Sequence, residues 1–403
     1  MTPPLISPSP PAAPPADDTR RPREGRPPQR AAERLLRLAG PALAVYAVTT
    51  LAHLLLLWSM NGPEAPGLKE RLLSWDGKLY ADIAEHGYPD GFSYTDDGTL
   101  TGNNLAFFPL FPLTVRAVHT LTGLDHGASG IVTAHLALIA ALIVCHRLLE
   151  RLYGRRTATI GIVLLAAAQP MSLALFMSYS ESLFLALCAG VLLAAHRRAW
   201  LTAGALALLA GLTRPAAVAV VLALAVAAGT HLLRERPLSW RPLAAVALGC
   251  AGTPAYLWWV GRRVGTMDAY FTIQQAGWGT HWDNGAALWR FLAESLTRGE
   301  GWVPVSTAVL LLALVCATAL AWQRGTWPPL LAYGTGIVVL TLAQSNFSHS
   351  KLRLLVPALL CLVPLARALA RTRPRTQVVV LGAAGLFGCW YGAYMLCVWQ
   401  FAI

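Results

Sequence analysis

The chain has 403 residues, of which 55% are hydrophobic and only 13% charged, where a soluble domain carries roughly 25% charged residues. Windows of about 20 residues with few or no charges recur along its length, which excludes an ordinary water-soluble fold and predicts an all-α polytopic membrane protein with the lipid bilayer as a partner. The formal charge of +12 would suit nucleic acid, but the basic residues lie in alternate loops, so nucleic acid is excluded as a partner.

In chain order, residues 1–37 are rich in Pro, Ala and Arg and lack an apolar stretch. They are expected to form a disordered basic cytoplasmic tail rather than a cleaved signal. Residues 38–403 are expected to form one transmembrane domain. The predicted spans, about eleven, are 38–60, 128–149, 157–177, 181–196, 199–213, 215–233, 242–260, 303–322, 328–344, 353–370 and 376–399. "RRPREGRPPQR", "RLYGRR", "HRR", "RERPLSWR" and "RTRPR" then fall on the N-terminal side, which the positive-inside rule makes cytoplasmic. Two long segments, 61–127 and 261–302, lie on the other face, so chemistry is expected to be extracytoplasmic. The seven Cys stand in apolar runs without a CxxC pair and read as small hydrophobes. Trp58, Trp258, Trp259, Trp302, Trp322 and Trp327 fall near span ends, as an aromatic belt would place them.

The first long segment opens with "SWDGKLYADIAEHG". A short helix is expected from Asp76, with Gly87 as its stop. Asp76, after Trp75, sits where the first span meets water; it is either a base for an incoming hydroxyl or the helix cap. Lys78, Asp82 and His86 share one helix face, with Glu85 beside them. "DGFSYTDDGTLTGNN" carries turn chemistry and ends at Asn104. "LAFFPLFPLTVRAVHTLTG" is apolar but broken by prolines, which suits a helix lying against the membrane or the bundle.

Further along, "SYSESLF" places Glu181 at the end of an apolar helix, where a charge needs a partner or a wet cavity. Arg214 follows at the next turn on that side. "HSKLRLLVP" adds His349, Lys351 and Arg353. These cations either pair structurally or hold a phosphate at the membrane surface. "AYFTIQQAGWGTHWD" offers Gln274, Gln275, Trp278, His281, Trp282 and Asp283, which suit a sugar or an interfacial loop. No HExxH, DxD, P-loop or GxGxxG is present, so no motif demands a metal ion or a nucleotide cofactor.

"WDGKLYADIAEHGY" followed by "NNLAFFPLFP", "SYSESLF" and "RLLVP" resembles the PIG-V-like (GPI mannosyltransferase II) family of the GT-C glycosyltransferases. The resemblance implies a GT-C-type bundle and inverting transfer of mannose from a polyprenyl-phosphate-linked donor to an acceptor hydroxyl. It makes Asp76 the base and Arg214, Lys351, Arg353 and His349 the donor-phosphate ligands. Trp75, Tyr80, His86, Asn104, Glu181 and Gln275 support them. Where family members often carry an Arg followed closely by Asn and Gly near the fifth or sixth span, this chain has "RPAAV" from Arg214. The Arg- and Ala-rich composition is similar to that of high-GC bacteria, so the implied acceptor is a cell-envelope glycolipid, polysaccharide or protein. Arabinose and glucose donors are the alternatives within the superfamily; a transporter or flippase is the alternative outside it.

Overall fold

The computed structural model describes residues 27–62, 64–234, 239–399 and 401. Two units are distinguished: Met1–Gly40, helical from Pro27, and Pro41–Ile403, which holds everything that follows. The tail expected to be disordered lies outside the described residues up to 26. From Pro27 the chain is already helical, as "RAAERLLRL" favours by propensity.

The fold is all-α; among the described residues the strands form two two-stranded antiparallel ladders, the second pairing His281–Trp282 with Gln344–Ser345. Among the described residues, six helices are long and apolar enough to cross a membrane: Ala39–Met60, His126–Tyr153, Pro215–Arg234, Arg241–Val264, Trp302–Gln323 and Pro374–Cys397. Glu181–His196, Trp200–Gly211 and Pro328–Leu342 are shorter apolar helices. The expected spans 157–177 and 353–370 are not continuous helices. The first runs as Arg155–Val163, a π-turn over Leu164–Ala168, and then irregular chain with a 3₁₀ turn at Ser172–Leu175. The second is a pair, Ser348–Leu354 and Leu359–Leu369, bent by 80°. Hydropathy registers apolarity and not breaks. Gln169-Pro170 and Val356-Pro357 supply the breaks, because proline has no N–H and disfavours helix in the residue before it.

Backbone freed at a break inside an apolar bundle must be satisfied by other protein groups. His53, 1% exposed, has Nε2 3.0 Å from the Ala166 carbonyl at the π-turn. Gln169 Nε2 donates to the Val356 carbonyl at 3.2 Å, and the Tyr333 hydroxyl donates to the Pro357 carbonyl at 3.0 Å. The two breaks thus share a hydrogen bond. Residues 171–180 are buried throughout although they form no regular ladder.

Segments 61–127 and 261–302 form the cap that positions the site. The first contains helices Leu68–Leu72, Asp76–His86 and Leu110–Thr122, with a hairpin pairing Ser93–Tyr94 and Leu100–Thr101. Helix Leu110–Thr122 buries Phe111, Pro112 and Val115, and its Arg116 Nε donates to the Ala84 carbonyl at 2.8 Å, closing the C-terminal end of Asp76–His86. The second segment contributes Ala269–Trp278 and Ala286–Thr297. One apolar cluster unites the segments through Tyr80, Phe107, Phe108, Tyr256, Tyr270 and Ile273. Gly102 and Gly277 meet there: a Cβ on Gly102 would lie 2.5 Å from the Gly277 Cα.

The seven cysteines are all free, as a reading of them as hydrophobes requires, but Cys250 and Cys316 are exposed on helix surfaces rather than buried. Trp58 and Trp322 stand exposed near helix ends, while Trp258 is exposed midway along helix Gly252–Val264. Trp302, exposed at the start of its helix, also stacks on Trp390, and Trp259 stacks on Tyr256.

Candidate active site

Asp76 is the first residue of helix Asp76–His86, and Glu181 the first of Glu181–His196. The helix macrodipole favours a carboxylate at each place. Asp76 does not cap its helix: the cap position belongs to Trp75, with φ 58° and ψ −118°, and no side chain makes a cap hydrogen bond. That conformation, with the Gly77 N–H donating to the Ser74 carbonyl at 3.3 Å, is the second position of a type II′ turn, a place that favours glycine.

The turn delivers the Asp76 carboxylate to Arg353, whose Nη1 donates to Oδ2 at 2.7 Å. The same guanidinium places Nε 3.5 Å from Glu181 Oε1, and Arg214 Nη1 lies 2.7 Å from that oxygen. Four charges from four separate segments therefore form one chain: Asp76, Arg353, Glu181, Arg214. Two cations and two anions leave the group neutral, which is how charges are tolerated at the edge of an apolar bundle. Exposure is graded along it: the Glu181 side chain is 2% exposed and that of Asp76 20%.

Neutral groups complete the wall. The Arg353 guanidinium sits 4.9 Å from the centre of the Tyr179 ring, and the Tyr179 hydroxyl donates to the Ser74 carbonyl at 3.0 Å. The Tyr80 hydroxyl donates to Ser180 Oγ at 2.8 Å, and Ser180 Oγ is 3.5 Å from Arg214 Nη1. Burial pushes the Tyr80 hydroxyl above its ordinary range.

Asp76, Trp75, Tyr80, Glu181, Arg214 and Arg353 are thus brought together, and the others named from the sequence are not. Lys351, fully buried, turns away and donates to the carbonyls of Thr341 at 3.0 Å and Gln344 at 2.7 Å. His349 lies among Phe347, Trp399 and Phe401. His86 Nδ1 is 3.0 Å from Asp82, which also accepts from Asn104 at 2.5 Å, on an exposed flank. Gln275 is exposed, while its neighbour Gln274 donates to the Ala106 carbonyl at 3.0 Å. In each case the residue lies in the right segment, but the helix directs its side chain elsewhere. Tyr179 and Ser180 were not singled out in the sequence; their place beside Glu181 in "SYSESLF" was the available signal. Among the described residues, no cluster of three His, Cys, Asp or Glu side chains is arranged to hold a metal ion.

An apolar groove of about 740 Å³ lies between helices Ala286–Thr297, Trp302–Gln323 and Pro328–Leu342, lined by Leu288, Trp289, Val315, Val338 and Val339, with Asp283 among its polar residues. The groove is separate from the charge chain. The two are joined by Lys351–Leu354: Lys351 bonds carbonyls flanking the lining residues Leu342 and Ala343, and Arg353 reaches Asp76.

The fold is shared with a protein of known structure. ArnT from Cupriavidus metallidurans bound to undecaprenyl phosphate superposes with a TM-score of 0.53 at 18% identity, covering 86% of this chain and 63% of ArnT. Its apo state gives a TM-score of 0.50 at 19% identity, covering 87% and 63%. The likeness is one of fold, and this chain spans less than two thirds of the ArnT length. No protein-family model matches the sequence, and no curated protein sequence matches it.

Proposed function

We propose that the chain is a membrane glycosyltransferase that moves a sugar from a polyprenyl-phosphate-linked donor to an acceptor hydroxyl. The observation that carries this reading is the charge chain itself: a carboxylate at the more exposed end, with two arginines behind it. The fold shared with ArnT, which was crystallised with undecaprenyl phosphate, points the same way.

In this scheme the acceptor O–H gives its proton to the Asp76 carboxylate as its oxygen forms a bond to the anomeric carbon. The bond from that carbon to the phosphate oxygen breaks, and its electron pair leaves on the phosphate. Attack opposite the leaving group inverts the anomeric carbon. Phosphate departs without a proton, so a single base is enough. Arg353 and Arg214 stabilise the charge that gathers on the departing phosphate, with the planar fork that suits phosphate oxygens. The groove takes the isoprenoid chain. The resemblance to PIG-V-like proteins makes mannose the leading sugar, a cell-envelope glycolipid, polysaccharide or protein the acceptor, and the extracytoplasmic face the side of reaction.

The test is transfer of labelled mannose from polyprenyl-phosphate-mannose into lipid and polymer, by membranes holding wild type or Asp76→Asn at equal levels. Transfer by the wild type alone supports donor and base together. Equal transfer by both removes Asp76 from the mechanism, and transfer only from an arabinose or glucose donor reassigns the sugar.

A further inference from the structure

As it stands, the carboxylate assigned as base is engaged. Asp76 Oδ2 accepts from Arg353 Nη1 at 2.7 Å, so that oxygen is occupied by the guanidinium and not open to an incoming hydroxyl. Arg353 is the cation in direct contact with Asp76, and the Tyr179 and Tyr80 hydroxyls lie within range of its charge. A donor phosphate adds one negative charge to a group of four that is already neutral, so one carboxylate must give up its share of the arginines.

The structure distinguishes the two carboxylates. Glu181 is 2% exposed and faces both guanidiniums; uncovering it would leave a buried charge without compensation. Asp76 is 20% exposed and is held by one oxygen on one nitrogen, a contact without the second bond of a bidentate pair. Water can reach Asp76 when it lets go.

Resting on the donor reading above, we propose that Arg353 is shared: an arriving phosphodiester displaces Asp76 from the guanidinium while Glu181 holds Arg353 and Arg214 in place. The base is then released only when a donor is seated. Glu181 is a positioning residue in this scheme and touches neither substrate.

The experiment measures affinity of the purified full chain for a short polyprenyl phosphate methyl ester, a phosphodiester with no sugar to transfer. Removing the competing carboxylate with Asp76→Asn tightens binding by about tenfold. In an Arg353→Gln background the same change has less than about a twofold effect, because the competition runs through Arg353. An equal gain with and without Arg353 means simple charge repulsion and overturns the proposal, as does an Asp76→Asn affinity unchanged from wild type. A second measurement needs no variant: carbodiimide labelling of Asp76 in the wild type rises when the ester saturates the protein, and unchanged or reduced labelling overturns the exchange. Failure of the wild type to bind the ester at all sinks the donor reading and this inference together; binding without exchange sinks the inference alone.

Discussion

Asp76 and Arg353 stand 277 residues apart in sequence and meet at 2.7 Å. Their pairing means that the role proposed for Asp76 as base separates from its structural role, since an amide at the same place still accepts from the guanidinium. Asp76→Asn is expected to leave the melting temperature near that of wild type and to lower sugar transfer by about 10²–10⁴-fold, the range a general base supplies. Thermal unfolding in detergent, run beside the transfer assay, checks both halves.

Glu181 behaves in the opposite way. Its loss leaves two guanidiniums facing each other at a nearly closed site, and breaking a buried pair by removing one partner costs about 3–5 kcal/mol. Glu181→Gln should lower stability by that order, and adding Arg214→Gln should recover part of it. A double variant no more stable than Glu181→Gln alone would show that Arg214 is not the group left uncompensated.

Trp75 holds a positive φ that only glycine adopts without strain, and such strain is worth about 1–3 kcal/mol. Trp75→Gly is expected to raise thermal stability while lowering transfer, because the relaxed turn no longer fixes the direction of Asp76. A variant that loses both stability and activity would make the indole ring, rather than the turn, the important element.

Gly102 and Gly277 allow the two cap segments to touch backbone to backbone. A methyl group on either forces them apart at about 1–3 kcal/mol. Gly277→Ala should speed amide hydrogen exchange across Ala269–Trp278 and leave the Pro374–Cys397 helix unchanged; equal protection in wild type and variant would contradict this.

Asp125 accepts from Lys69 Nζ at 2.8 Å and from the Ala128 N–H at 2.9 Å. The Lys69 hydrogen bond, then that of Ala128, holds its carboxyl below the ordinary carboxylate range. A lowered value means stabilisation that is present above the unfolded-state pKa and lost as pH falls through the folded-state one. Asp125→Ala should therefore cost about 1 kcal/mol near neutral pH, as loss of an N-cap does. The deficit should close in acid, as parallel melting curves at neutral and low pH would show.

Much of the site was legible because a charge at the end of an apolar helix is expensive alone and so announces itself. Glu181 was visible on that ground, and Asp76, Arg214 and Arg353 as charges beside the ends and turns of predicted spans; all four converge. Their pairing order was not, since sequence places a residue along a helix but does not aim its side chain: Lys351 and Arg353, two residues apart, point to different partners. The all-α polytopic fold followed from composition. The breaks at Gln169-Pro170 and Val356-Pro357 were lost inside hydropathy windows, although both prolines were in view.

The charge chain also has an order of assembly. Glu181 and Arg214 emerge from the ribosome close together and can neutralise each other while the protein is still being threaded into the bilayer. Asp76 has by then been waiting, and it waits until 277 further residues have been made before Arg353 arrives. Until then the Asp76 carboxylate has no Arg353 to pair with, and the last partner to be translated is the one that completes the charge chain.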